Sequence, residues 1–245
     1  MPQVRQVPLP PLHTLSLARW GQLCQAFNIH DQTAIEQEFN RIATAYGQPQ
    51  RAYHTAQHIN ECLAWLDWTK AEISAEFAGH LVLEMALWYH DVVYQTQGSD
   101  PEERSNERQS ADQAVSFLQA HLPSHPGKHG QIHRVEALIM ATVHLADQGA
   151  EHCPDSGVKQ TVEYPLDLAP WMMDIDLAIL GADPQRFNQY ETQIRQEYAW
   201  VPEAIYRTKR QQVLKQFLAR PVIYHTPKFQ QQFESQARRN LGDLG

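Results

Sequence analysis

Cysteine is scarce in this 245-residue chain: Cys24, Cys62 and Cys153 are its three, none in C-x-x-C spacing, so neither a disulfide framework nor a thiolate zinc site is indicated and a reducing compartment fits. No uninterrupted apolar run approaches the roughly 20 residues a membrane-spanning helix needs. The stretch Met1 to His13, with Pro2, Pro8, Pro10 and Pro11, has no apolar segment of the kind a secretion signal carries. Positive charge is also short. Lysine and arginine number 20 against 28 acidic residues, and the formal net charge of −8 argues against the broad basic surface that bulk nucleic-acid or anionic-membrane binding requires. A glycine-rich phosphate loop is absent, as is the sustained polar–apolar alternation a sheet would need. These absences predict a cytoplasmic protein without membrane or bulk nucleic-acid partners.

What is present reads as amphipathic helix broken at proline, glycine and capping residues, and predicts an all-α fold of roughly nine to eleven helices in one domain over residues 1–245. The first helix follows Ser16 and ends near Phe27. The second starts behind Asp31, carries Ile35, Phe39 and Ile42 on one face and stops at Gly47-Gln48-Pro49. A third is expected from about Tyr53 through Leu66, and a fourth from about Ser74 to Asp91 with an apolar stripe of Phe77, Leu81, Met85 and Trp88. Further helices are expected over Asn106 to His121, Gln131 to His144, Pro170 to Leu180 (closed by Gly181), Asp183-Pro184 to about Trp200, Pro202 to Arg220, and from Thr226-Pro227 onward. The glutamines at 211, 212, 216, 230, 231, 232 and 236 are placed on exposed helix faces, and Tyr190, Tyr198, Trp200 and Tyr206 in a helical core.

Chemistry concentrates on histidine and aspartate. His90-Asp91 sets a neutral nitrogen donor beside an anionic oxygen donor inside the apolar run Leu87 to Tyr94, where an unpaired carboxylate is costly. His54 and His58 stand four apart, a spacing that puts two rings on one helix face. The zinc-protease motif of that spacing needs Glu after the first His, and Thr55 stands there instead. Asp174 and Asp176 lie two apart and cannot both face one point on a helix, which leaves Asp176 and Asp174 as alternatives. By contrast His30-Asp31 reads as a loop and an N-cap.

Taken in order, Tyr53-His54-x-x-x-His58, His90-Asp91 and Asp174-Ile175-Asp176-Leu177 resemble the HD superfamily of metal-dependent phosphohydrolases. The stretch Arg51 to Gly181, including Asn106-Glu107-x-x-Ser110-Ala111, together with Arg210 to Leu241, is similar to its uncharacterised bacterial branch. The resemblance implies an HD-type helical bundle with a metal-site core over about residues 50–182. It implies His58, His90, Asp91 and Asp176 as ligands of one divalent ion and His54 as general acid. Asp176 is favoured over Asp174 because Leu177 follows it, as in the family. Manganese or another transition ion comes first among manganese, iron, cobalt, nickel, zinc and magnesium, given two imidazoles among the ligands. Asp91 would then be needed for turnover as well as for metal retention. Candidate substrate contacts are His144, Arg51 and Glu107, and Arg104 and Arg108 are further cations for a phosphate. The expected reaction is hydrolysis of a phosphate ester of a nucleotide or small phosphorylated metabolite by metal-activated water. The alternatives are a non-catalytic metal- or nucleotide-binding sensor or assembly module and an HD-type iron oxygenase. A homodimer would be ordinary for such an enzyme.

Overall fold

The computed structural model describes residues 14–73, 79–97, 105–143 and 168–242, and every regular element among them is helical, as expected of an all-α chain. No helix among these residues is long and apolar enough to cross a membrane. Helix α1 (Leu17–Ala26) starts where Ser16 Oγ accepts from Arg19 N, and α2 (Gln32–Tyr46) where Asp31 Oδ1 accepts from Ala34 N. Between them Asn28 takes a left-handed turn (φ 59°), a conformation asparagine tolerates better than most residues with a side chain. Then come α3 (Ala56–Thr69), α4 (Gly79–Tyr89), α5 (Asn106–His121) and α6 (Lys128–Met140). Helix α7 (Ala169–Asp176) tightens into a 3₁₀ segment, Leu177–Gly181. Helices α8 (Pro184–Glu197) and α9 (Glu203–Ala219) follow, and the chain closes with α10 (Pro227–Phe229), a π turn over Gln230–Glu234 and α11 (Ser235–Gly242).

Helix α4 is the centre. The sequence predicts one apolar stripe on it, but from Met85 to Tyr89 every residue is buried, because α1, α3, α5 and α6 pack around it. The Trp20 ring meets Trp88 edge-on at 5.4 Å and lies 5.6 Å from Phe117, while its Nε1 donates to Ile35 O. A helix enclosed on all sides holds its C-terminal end rigidly, and that end carries His90 and Asp91.

Three predicted boundaries move for local reasons. Helix α3 starts at Ala56, because Thr55 is its extended N-cap and accepts from Gln57 N. Helix α6 runs three residues ahead of its expected start and ends at Met140. Helix α8 stops at Glu197, so Trp200 lies in the turn beyond it, half exposed, where helical periodicity no longer applies.

The C-terminal segment is tied to the end of α7 at several points. Asp174, fully buried, accepts from His225 N (2.8 Å), Thr226 N and Thr226 Oγ1 (both 2.7 Å). Tyr224 donates its hydroxyl to Leu177 O, and Asn240 Nδ2 donates to Leu180 O and Ala182 O. Gly181 lets the π turn approach closely: a Cβ there would lie 2.6 Å from Phe233 Cβ and 2.8 Å from Phe233 O. Gly181→Ala is therefore expected to destabilise the protein by about 1–3 kcal/mol, read as a lower denaturant midpoint with an unchanged slope. A midpoint equal to wild type would mean that the π turn yields freely.

Candidate metal centre

Three separated stretches deliver donor atoms to one point. His58 comes from the first turn of α3, His90 and Asp91 from the turn that ends α4, and Asp176 from the last residue of α7. His58 Nε2 stands 3.1 Å from His90 Nε2, 3.4 Å from Asp91 Oδ2 and 3.1 Å from Asp176 Oδ1. His90 Nε2 stands 3.1 Å from Asp91 Oδ2 and 3.5 Å from Asp176 Oδ1. Atoms sharing a metal ion at bond lengths of about 2.0–2.2 Å stand about 3.0–3.5 Å apart, so these separations fit. Both histidines are almost wholly buried. His90 Nδ1 lies 2.9 Å from Leu87 O, which holds the proton on Nδ1 and turns the Nε2 lone pair toward the other donors. Adjacent residues on a helix diverge, but α4 ends at Tyr89, so His90 and Asp91 occupy a turn that lets both converge.

Cys62, one helical turn beyond His58, joins His58, His90 and Asp176 in a buried group that could hold a metal ion. Its Sγ is 3.7 Å from His58 Nδ1 and 3.8 Å from His58 Nε2. Near-equal distances to the two ring nitrogens place the sulfur against the flank of the imidazole rather than in line with its Nε2 lone pair. Asp91 Oδ2 is better placed to complete the set with His58, His90 and Asp176. The spacing His58-x-x-x-Cys62 was the available sequence signal for this thiol.

Burial disfavours charge on both imidazoles, yet Cys62 and Tyr53, with Asp176 and Asp91, hold His58 well above the ordinary histidine range, and Asp91 and Asp176 do the same for His90. Burial likewise opposes ionisation of Asp91, but His90, His54 and His58 keep it well below the usual carboxylate value. Such a group is built to be anionic on one side and cation-seeking at its centre. Asp174, the alternative to Asp176, faces away, toward the donors of His225 and Thr226.

His54 precedes the α3 N-cap and so is not on the helix that the four-residue spacing predicts, yet its ring centroid lies 5.8 Å from that of His58. What positions it is Glu197, the last residue of α8, which no sequence pattern singled out. Glu197 Oε2 is 2.7 Å from His54 Nδ1, and its Oε1 accepts from Ala52 N, Tyr53 N and His54 N at 2.8, 2.8 and 2.9 Å. The carboxylate fixes the proton on Nδ1 and leaves Nε2 to exchange one. Tyr94 stacks on the imidazole at 3.8 Å.

Burial works against the charge on Glu197, but His54 and the loop amides bring its pKa down to about 2 from an ordinary 4.5. A depressed carboxyl contributes stability that is complete above the unfolded value and fades as pH falls from about 4.5 to about 2. The contribution is about 3 kcal/mol. Glu197→Gln is expected to flatten the acid limb of the stability–pH curve, measured by denaturant titration between neutral pH and pH 3. An unchanged acid limb would contradict this assignment.

The predicted substrate contacts fare differently. Arg51 is buried, and its guanidinium donates to Asp91 O (2.6 Å), Val92 O (3.0 Å), His54 O (3.2 Å) and Gln48 Oε1 (3.1 Å). It is a cation at the C-terminal end of α4 that pins the His54 loop to the His90-Asp91 turn, not the phosphate contact its charge suggested. Arg108 pairs with Glu136 and Asp112. Glu107 is a partly exposed acid in the first turn of α5, where the macrodipole favours it, and is not among the converging donors. His144 and Arg104 lie outside the described residues. In the motif that begins at Asn106, Ser110 Oγ accepts from Val93 N and Asn106 exchanges two hydrogen bonds with Gln95. That motif clamps the chain leaving Asp91.

No protein-family model matches this chain, and no curated protein or solved structure matches it either.

Proposed function

We propose that this chain is a metal-dependent phosphohydrolase of the HD type, cleaving the phosphate ester of a nucleotide or another small phosphorylated metabolite. One observation carries the reading: Nε2 of His58 and Nε2 of His90 stand 3.1 Å apart and each 3.1–3.5 Å from Oδ2 of Asp91 and Oδ1 of Asp176, beside a histidine braced by a buried carboxylate. Two nitrogens and two carboxylate oxygens suit a divalent ion of borderline or hard character. Such an ion, when bound, supplies a Lewis acid for a phosphoryl oxygen and lowers the pKa of water.

The rest is done by the chain. His90 is held in one tautomer by Leu87 O, and Asp91 is fixed through its own carbonyl by Arg51. His54 keeps a proton on Nδ1 through Glu197 and offers Nε2 to protonate the departing alkoxide oxygen, the role of a general acid. Glu197 orients the ring through Nδ1 and keeps its own charge throughout, because its pKa of about 2 leaves it ionised. Burial of His58 and His90 excludes bulk water from the donor side.

The test combines elemental analysis of protein purified without added metal with phosphate release from a panel of esters under each of manganese, iron, cobalt, nickel, zinc and magnesium. The expected result is about one ion per chain and turnover that a chelator removes and metal restores. A bound ion with no turnover on any ester would point to a non-catalytic metal-binding module. No bound ion and no activation by any metal would remove the proposal altogether.

A further inference from the structure

A cavity of about 690 Å³ reaches His58 and Asp176 and runs from them to the C-terminal segment, where Gln232, Phe233, Gln236 and Arg239 form its far wall. That size suits a small-molecule ligand rather than a single ion. The wall is placed by the π turn over Gln230–Glu234. A π turn adds a residue to the helical cycle and re-aims the side chains that follow, which is why π turns recur at functional sites. It also turns Gln232 and Gln236, expected on exposed faces, partly inward. Close approach at Gly181 and the grip of Asp174 on His225 and Thr226 lock this wall to the segment that carries Asp176.

The charges in the cavity are unequal in availability. Arg186 is bidentate with Glu61, both contacts 2.9 Å, so that pair is neutral. Asp183 caps α8 through Gln185 N and Arg186 N. Arg239 is exposed, and its hydrogen bond goes to the carboxamide oxygen of Gln236 at 2.6 Å; among the described residues no carboxylate lies in ion-pair range of it. Trp65 meets Phe233 edge-on at 5.0 Å, giving the same cavity an aromatic side.

The geometry points to the C-terminal wall as the specificity element of the site: Arg239, with Gln236 and Gln232, receives a second anionic group of a phosphomonoester whose apolar or planar portion lies against Trp65 and Phe233. This rests on the phosphohydrolase reading for the role of the reacting phosphate. It adds which phosphate esters are preferred, namely those with a further phosphate or a carboxylate. A charge-assisted guanidinium–anion contact at this exposed position is worth severalfold, up to about tenfold, in affinity.

Two measurements separate the two ideas. In the first, orthophosphate and pyrophosphate are titrated calorimetrically into metal-loaded protein. Pyrophosphate is expected to bind wild type about tenfold tighter, with the ratio collapsing toward one in Arg239→Gln and partly restored in Arg239→Lys. In the second, KM is compared for 3-phosphoglycerate against glycerol 3-phosphate, and for adenosine 3′,5′-bisphosphate against AMP. The member with the extra anion is expected to have the lower KM in wild type, and Arg239→Gln to raise that value selectively. The first pair reports a carboxylate, the second a further phosphate. Metal content, the same in all three proteins, controls for folding. Pyrophosphate selectivity that depends on Arg239, without turnover of any ester, would uphold the anion site and refute the phosphohydrolase reading. Turnover with ratios that Arg239→Gln leaves unchanged would overturn the specificity wall and keep the reading, and failure of wild type to bind either probe would also overturn the wall.

Discussion

Asp91→Asn and Asp176→Asn proteins are expected to fold, to purify without a tightly held ion, and to lose both turnover and the thermal response to added divalent metal. In wild type an ion held a thousandfold above its Kd adds about 4 kcal/mol of stability. For a domain of this length that corresponds to a rise in Tm of about 8–16 °C, removed by chelator. Each aspartate supplies one of four converging donors, and a carboxamide at either position removes the anionic charge that offsets the ion. The backbone contact from Arg51 to Asp91 O survives the substitution, so loss of metal is separable from loss of fold. Asp174→Asn provides the contrast. It is expected to keep the thermal response to metal and to lose about 1–3 kcal/mol of intrinsic stability, because one carboxamide cannot accept all three hydrogen bonds from His225 and Thr226 as a carboxylate does. An Asp176→Asn protein that retained metal, or an Asp174→Asn protein that lost it, would reverse the two assignments.

Substitution of His54 is expected to leave metal content unchanged and to slow hydrolysis. Loss of a positioned general acid costs about 10²–10⁴ in rate. The loss is expected to depend on the leaving group: large for an alkyl phosphate, whose alkoxide needs a proton, and much smaller for p-nitrophenyl phosphate, whose phenolate leaves unaided. Equal losses on both esters would reduce His54 to a packing residue. Glu197→Gln is expected to follow the same pattern more weakly, since a carboxamide can still hold the ring but can present an oxygen to only one of the two groups Glu197 now serves. It acts through His54, and the dependence on leaving group distinguishes this from simple destabilisation.

Much of this site was legible in the chain because its determinants are local. Ser16, Asp31 and Asp183-Pro184 mark helix starts through bonds or backbone angles within four residues, and α1, α2 and α8 begin where those residues say. Two aspartates two apart on a helix diverge, so that only one of Asp174 and Asp176 faces the histidines follows from the helix alone. Local spacing also misled. The four-residue spacing pairs His54 and His58 on one helix face, whereas Thr55 caps α3 between them and a different device, Glu197, brings His54 to the site.

The sequence by itself determined a helical chain and the order of its histidine and aspartate donors, since capping, periodicity and divergence act over a few residues. Only the tertiary structure decided which donors meet and what braces them. Glu197 reaches His54 across 143 residues, Arg51 joins Asp91 across 40, and Asp174 holds Thr226 across 52. No local pattern encodes such partners, because a buried charge on one segment is satisfied by whichever segment the packed core brings against it.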